Sequence, residues 1–146
     1  MGTTVVLGVF RPGHVFIGHV GDSRCYRLRG GELCRLTRDH TLVQEQVDAG
    51  LVDPRLAPRL PYRNLLTRAL GAEADVLPDL TEVDVLAGDL FLLCSDGLTD
   101  MLDDGQIAGL LAAGGPLGEL GRALVEAANG AGGRDNVSVL LVRARM

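Results

Sequence analysis

The distribution of apolar and polar positions divides the chain into stretches of different period. Thr3–Phe10 and His14–Val20 are rich in β-formers and are separated by Arg11-Pro12-Gly13, a turn sequence. Arg24–Arg29 and Glu32–Leu36 follow, joined by Gly30-Gly31, a pair that accepts positive φ at both central positions of a hairpin. In that register Leu28 faces Leu33 and Arg29 faces Glu32, so the first 36 residues predict an antiparallel meander. The period then changes. Leu42, Val43, Gln46 and Val47 mark one face of a helix over Thr41–Ala49, with Thr41 to cap it and Gly50 to end it. The next stretch, LVDPRLAPRLPYRN, carries Pro54, Pro58 and Pro61 and predicts an irregular loop over residues 51–64.

Asn64–Leu70 and Leu80–Val85 have strand character, and Asp89–Ser95 has it most clearly. Leu90-Phe91-Leu92-Leu93-Cys94 is five apolar residues in a row, the mark of a strand buried on both faces. Asp103, with Gln106 three residues on, forms a capping box for a helix over Ile107–Ala113. Pro116–Asn129 repeats Leu117, Leu120, Leu124, Val125 and Ala128 at helical spacing, and Asn136–Val142 closes the series as a strand. Hairpins outnumber βαβ units, so the expected class is α+β, with mostly antiparallel sheets. At 146 residues, without repeats or a linker, the chain is one domain's worth of polypeptide.

Composition narrows the classes of function. The core must be aliphatic, because aromatics make up 3% and there is no Trp. No apolar run approaches the roughly 20 residues of a membrane span, and the start has neither a basic region nor a cleavage site, so the expected location is cytoplasmic. The net charge of −5 divides unevenly: residues 1–70 carry +4 and residues 71–146 carry −9. All 14 basic residues are Arg, and no Arg cluster with interleaved aromatics points to nucleic acid. Cys25, Cys34 and Cys94 are an odd number without a C-x-x-C pair, which fits reduced, buried thiols better than zinc or a disulfide scaffold. Cys34 faces Arg27 across the hairpin, leaving Cys25 on a diagonal of about 7–8 Å.

Three acidic sites have a common local form, an Asp beside a tight, Gly-rich turn: Gly21-Asp22-Ser23-Arg24, Ser95-Asp96-Gly97 and Gly132-Gly133-Arg134-Asp135-Asn136. Glycine permits the turn and the approach of a ligand, and carboxylate oxygen suits Mg²⁺ or Mn²⁺ rather than zinc. Each Asp taken singly is better explained as a turn residue bonding its own backbone, a reading that three such sites together weaken. Arg55, Arg59 and Arg63 punctuate the proline loop, either as a solvated surface or as a docking flap for an anionic partner. His14 and His19 read as structural or half-exposed strand residues, and His40 is open to both function and capping. Nucleophile-elbow, P-loop, H-E-x-x-H and calcium-loop patterns are absent.

The segments HVGDSRCYRLRGGELCRLTRDHTLVQEQVDAG, NLLTRALG, GDLFLLCSDGLTDML and GGRDNVSVLLV, in that order, resemble the metal-dependent protein phosphatases of type 2C in their bacterial serine/threonine form. The resemblance implies a β-sandwich flanked by helices, a binuclear Mn²⁺ or Mg²⁺ centre, and phosphorylated proteins as substrates, opposing a Ser/Thr kinase. By motif, Asp96 and Asp135 correspond to ligands of a catalytic metal. Asp22, with Asp96 and Asp100, corresponds to a third metal site. Gly21, Gly97 and Asn136 are motif turn residues, and 51–64 is the substrate flap bearing Arg55, Arg59 and Arg63. The family's R-x-x-N-E-D-like and D-G-M-G-G-like motifs, the latter supplying the bridging Asp, have no counterpart in these 146 residues. The expectation is therefore a single phosphatase-like domain over 1–146, truncated at its N-terminus and inactive or nearly so alone. An exposed sheet edge or face would then invite self-association. The alternative is a non-catalytic phosphoprotein-binding module of the same fold.

Overall fold

The computed structural model describes residues 2–72 and 74–145; Met1, Glu73 and Met146 lie outside the described residues. The elements run β1 (Val5–Arg11), β2 (His14–Val20), β3 (Arg24–Arg29), β4 (Glu32–Arg35), α1 (Leu42–Asp48), β5 (Asp79–Asp84), β6 (Leu90–Cys94), α2 (Asp96–Thr99), α3 (Asp104–Ala112), α4 (Leu117–Gly130) and β7 (Val139–Arg143). They form two antiparallel sheets, one ordered β1-β2-β5 and the other β4-β3-β6-β7.

The side-chain period of two along a strand sets the layers. Phe91 and Leu93 of β6 face Val15, Ile17, Cys25 and Val85, filling the space between the sheets. Leu90, Leu92 and Cys94 point the other way, onto a second core built from Tyr26, Leu98, Leu102, Ile107, Leu111, Leu120, Leu124 and Ala128. The five-residue apolar run is thus divided between two cores, as its composition predicts. Phe10 closes edge-to-face on Phe91, with ring centroids 5.2 Å apart. The outer face of β1-β2-β5 carries Leu7, Val9, Phe16 and Leu80 in the open, with Leu80 79% exposed.

Several expectations need correction. The first 36 residues are not one meander: β1-β2 and β3-β4 are hairpins of different sheets, and the chain crosses between them at Gly21-Asp22-Ser23. Asn64–Leu70 forms no strand. Its backbone pairs residue by residue with two partners, through isolated bridges Thr41↔Leu66 and Thr3↔Leu70, so no ladder extends. Asn136–Ser138 is not part of the last strand, because it is spent on Ser95: the Ser95 N–H donates to the Ser138 carbonyl and the Ser138 N–H to Ser95 Oγ, both at 3.0 Å. Cys34 is exposed rather than buried, since β4 is an edge strand, although it faces Arg27 as expected. Burial pushes the Cys25 and Cys94 thiols up to about 12.

The remaining local expectations hold. Gly30 and Gly31 take φ of 57° and 79° at the hairpin tip. Thr41 Oγ1 accepts from the Gln44 N–H at 3.2 Å. Asp103 and Gln106 complete their box, with the Gln106 N–H donating to Asp103 Oδ1 at 2.8 Å and the Asp103 N–H to Gln106 Oε1 at 2.9 Å. No described helix is long and apolar enough to cross a membrane.

Candidate metal centre

Asp22 stands where the chain leaves one sheet for the other. Gly21 turns there with φ of 106°, a conformation that favours glycine, and a Cβ on it would overlap the side chain of Thr4. Asp96 opens α2 immediately after the buried strand β6, so a rigid element delivers it. Ser95-Asp96-Gly97 is therefore the start of a helical turn rather than a tight turn. Asp100 follows four residues later, which puts both carboxylates on one face of that turn.

Gly97 is required for a different reason from Gly21. Its φ is not positive, but a Cβ would overlap the Asn136 carbonyl oxygen. The bare Cα lets the loop over residues 132–138 close on the start of α2. That loop carries Asp135, whose Oδ1 accepts from the Asn136 N–H at 2.7 Å.

A cavity of about 290 Å³ opens at this end of the sandwich, lined by Asp22, Asp39, Asp96 and Asp100 together with Pro54, Ala57 and Pro58 of the proline loop. The electrostatics record the crowding. Burial, then Asp96, Asp39 and Asp100, push Asp22 up to about 7. Burial and then Asp135 raise Asp96, and burial and then Asp96 raise Asp100, against the pull of Arg63 and Arg24. Asp22, Asp96 and Asp100 are thus each raised in part by another carboxylate. Asp135 itself is exposed and lines a separate depression with Asn129 and Asn136. Of the three arginines of the proline loop, Arg63 lines the cavity; Arg55 is taken up by Asp53 at 2.8 Å, and Arg59 lies in the 3-10 turn at Ala57–Arg59.

Hard oxygen donors gathered on one cavity are a donor set that fits Mg²⁺ or Mn²⁺. They are not drawn tight: among the described residues, the group of His, Cys, Asp or Glu whose donor atoms all lie within 4.8 Å of one another is His19, His40 and Asp79. That trio is already committed to protein partners. His19 and His40 stack with centroids 4.5 Å apart, and His19 Nε2 bonds the Arg38 carbonyl at 2.8 Å. His40 Nδ1 accepts from the Gly21 N–H at 3.0 Å, and its Nε2 meets Asp79 Oδ2 at 2.9 Å.

Sequence reasoning missed two features here. Asp39 is buried on the cavity wall and grips Arg24, with Arg24 Nη2 donating to Oδ2 at 2.6 Å and Nε to Oδ1 at 2.9 Å. Arg24 Nη1 also donates to the Tyr26 hydroxyl, which donates to Asp104. An Asp two residues before a capping Thr looks like ordinary cap chemistry, and nothing local announces its partner 15 positions upstream. The second feature is the Asp79–His40–Gly21 connection, which needs three distant segments.

The chain is an α+β sandwich with Asp22, Asp39, Asp96 and Asp100 gathered on one cavity at the ends of its strands. Residues 1–136 match the protein phosphatase 2C family, and the chain belongs to that family. It is 39% identical over 142 residues to protein phosphatase PhpP of Streptococcus pneumoniae, covering 97% of this chain and 58% of that protein. The crystal structure of serine/threonine phosphatase Stp1 from Staphylococcus aureus matches all of the chain and 57% of its own, with a TM-score of 0.96 and 35% identity. The catalytic domain of serine threonine protein phosphatase PstP, solved in complex with two manganese ions, matches 97% of the chain and 58% of its own, with a TM-score of 0.87 and 41% identity. The chain therefore spans somewhat over half the length of these relatives.

Proposed function

We propose that these residues are part of a Mn²⁺- or Mg²⁺-dependent phosphatase acting on phosphoserine and phosphothreonine in proteins. The observation that carries this reading is the convergence of Asp22, Asp96 and Asp100 on one cavity, each with its carboxyl raised by burial and by a neighbouring carboxylate. Asp96 and Asp135 would hold a catalytic ion, and Asp22, Asp96 and Asp100 a further one. Ions held there would neutralise charge on a phosphate and acidify a water, the chemistry this donor set calls for.

The chain's own residues do the rest. The β6–α2 junction fixes Asp96 on rigid backbone, Gly97 admits the Asp135 loop, and Arg63 brings positive charge to the cavity wall, where a phosphate would sit. Residues 51–64 form the substrate flap, with Arg63 as its contact. The physiological setting is cytoplasmic, opposite a Ser/Thr kinase.

Within the whole protein, Asp96→Ala should lower Mn²⁺-dependent hydrolysis of a phosphothreonine peptide at least about a hundredfold. An Asp96→Ala enzyme of normal activity sinks the assignment. The donor oxygens present do not close tightly around one point, so the 146 residues alone should bind Mn²⁺ yet turn over the peptide at most slowly. Rapid turnover by the 146-residue chain, abolished by Asp96→Ala, would contradict that second statement while upholding the first. Taken alone, the chain should also self-associate through the open apolar face of β1-β2-β5, which sedimentation equilibrium would detect and Leu80→Lys would weaken.

A further inference from the structure

We infer that His40, held by Asp79, is the positioning residue that sets the Gly21–Asp22 turn and so aims the Asp22 carboxylate into the cavity; this rests on reading Asp22 as a metal ligand. Three segments distant in sequence meet at one buried imidazole. Gly21 and His40 bond twice: the Gly21 N–H donates to His40 Nδ1 at 3.0 Å, and the His40 N–H donates to the Gly21 carbonyl at 3.0 Å. The His40 carbonyl accepts from the Thr67 N–H at 2.8 Å, which ties the other side of the residue down. His40 is 2% exposed, so no water replaces these partners at low cost.

The tautomer follows from the donors. Because Nδ1 accepts from a backbone N–H, it carries no proton, and the ring proton must sit on Nε2 and be donated to Asp79 Oδ2 at 2.9 Å. Asp79 is oriented in turn by Arg68, whose Nη1 donates to Oδ1 at 3.1 Å and to the Leu77 carbonyl at 3.0 Å. Burial holds His40 below the ordinary histidine range against the pull of Asp79, with His19 and Arg68 adding to the effect, which favours the neutral ring this pattern needs. Capping explains none of it, since Thr41 performs that task. The arrangement has the form of the carboxylate–histidine supports that orient metal ligands from behind, except that here the histidine grips the backbone adjoining the ligand.

Asp79→Asn tests this sharply because it is isosteric. Arg68 would keep the amide oxygen at the Oδ1 position, leaving the amide NH₂ against His40 Nε2. The ring would then have to accept there and carry its proton on Nδ1, placing two donors face to face at Gly21. The same logic makes a buried Asp indispensable to the tautomer of its histidine in hydrolase triads. In the 146-residue chain, ¹⁵N imidazole shifts of Asp79→Asn should show the proton moved to Nδ1. Amide exchange at Gly21 should accelerate by about tenfold or more, and Mn²⁺ affinity by calorimetry should fall about 10–100-fold. His40→Ala should reproduce the last two losses. His40→Asn, whose Oδ1 can occupy the Nδ1 position and accept from Gly21, should restore most of both.

An unchanged tautomer and unchanged Gly21 exchange in Asp79→Asn would overturn the inference. So would equal losses in His40→Asn and His40→Ala, a comparison that still decides the matter if Asp79→Asn fails to fold. A moved proton and faster Gly21 exchange with Mn²⁺ affinity intact would also overturn it, provided Asp22→Ala weakens that affinity. If Asp22→Ala leaves Mn²⁺ binding untouched, the ligand reading of Asp22 falls instead. The Gly21 measurements then report on the turn by themselves.

Discussion

At single positions, the same residue type is required for unlike reasons, and this gives separable predictions. Gly97 has ordinary φ but no room: a Cβ meets the Asn136 carbonyl, so Gly97→Ala must push the Asp135 loop away. Gly13, at φ of 82°, has room but the wrong backbone for other residues, and its Cβ would meet nothing within 4 Å. Gly97→Ala should cost about 3 kcal/mol and weaken Mn²⁺ binding, while Gly13→Ala should cost about 1–2 kcal/mol and leave metal binding alone. Urea melts with a Mn²⁺ titration on each variant check both. Asp89 gives a pH prediction of definite sign. It is 1% exposed, accepts from Arg29 at 2.7 and 2.8 Å and from the Leu86 N–H at 2.8 Å, and the Arg29 bonds hold its carboxyl below the usual range. A depressed folded-state value stabilises above the unfolded value, about pH 3.9, and the benefit is lost as pH falls through the folded value. Asp89→Asn should therefore lower stability at pH 7 by about 2 kcal/mol and narrow the gap to wild type below about pH 3. Thermal melts across pH 2–7 measure that convergence.

Elements differed in how far the sequence disclosed them, and the difference follows the range of the interactions that fix them. The Gly30-Gly31 hairpin, the Thr41 cap, the Asp103–Gln106 box and the two-faced burial of β6 depend on neighbours within a few residues, and all were legible. Asp103→Ala should accordingly act locally, costing about 1 kcal/mol in a denaturant melt without altering metal binding. What the sequence concealed depends on partners far along the chain. β-propensity in Asn64–Leu70 was real, but Thr3 and Thr41 each take one residue of it and no ladder follows. Alternation could not say that β2 and β3 belong to different sheets, because both patterns look alike from within one strand. The acidic motifs at Asp22, Asp96 and Asp135 were visible, although the one at Asp96 opens a helix and is not a tight turn. Asp39 and the His40–Asp79 pair were not, because neither departs from ordinary cap and strand usage until three segments are brought together.

For the molecule as a whole, the carboxylate cluster sets stability against function. Burial, with Asp96 and Asp39 beside it, pushes the Asp22 carboxyl up from its ordinary 3.8 to about 7, so the folded state should hold an extra proton between those values. Stability without metal should therefore fall as pH rises from about 4 to 7, with the full penalty present above 7. After allowance for solvent screening, that penalty is about 2 kcal/mol. The unequal charge halves reinforce the effect, since residues 71–146 carry −9 and supply Asp96 and Asp100. Asp22→Asn should raise the melting temperature of the metal-free chain at pH 7.5 and flatten its fall between pH 4 and 7. Mn²⁺ reverses the ranking: at about a hundred times its dissociation constant it adds about 2.7 kcal/mol to the wild type, roughly 10 °C, and much less to Asp22→Asn. Calorimetric scans of both chains with and without Mn²⁺ decide the point. If the two respond alike to Mn²⁺, the ion binds elsewhere and the crowding at Asp22 has no counter-ion to explain it. If the order inverts, the chain keeps an electrostatically unfavourable cluster because a cation completes it, which is the exchange of stability for function expected at a built site.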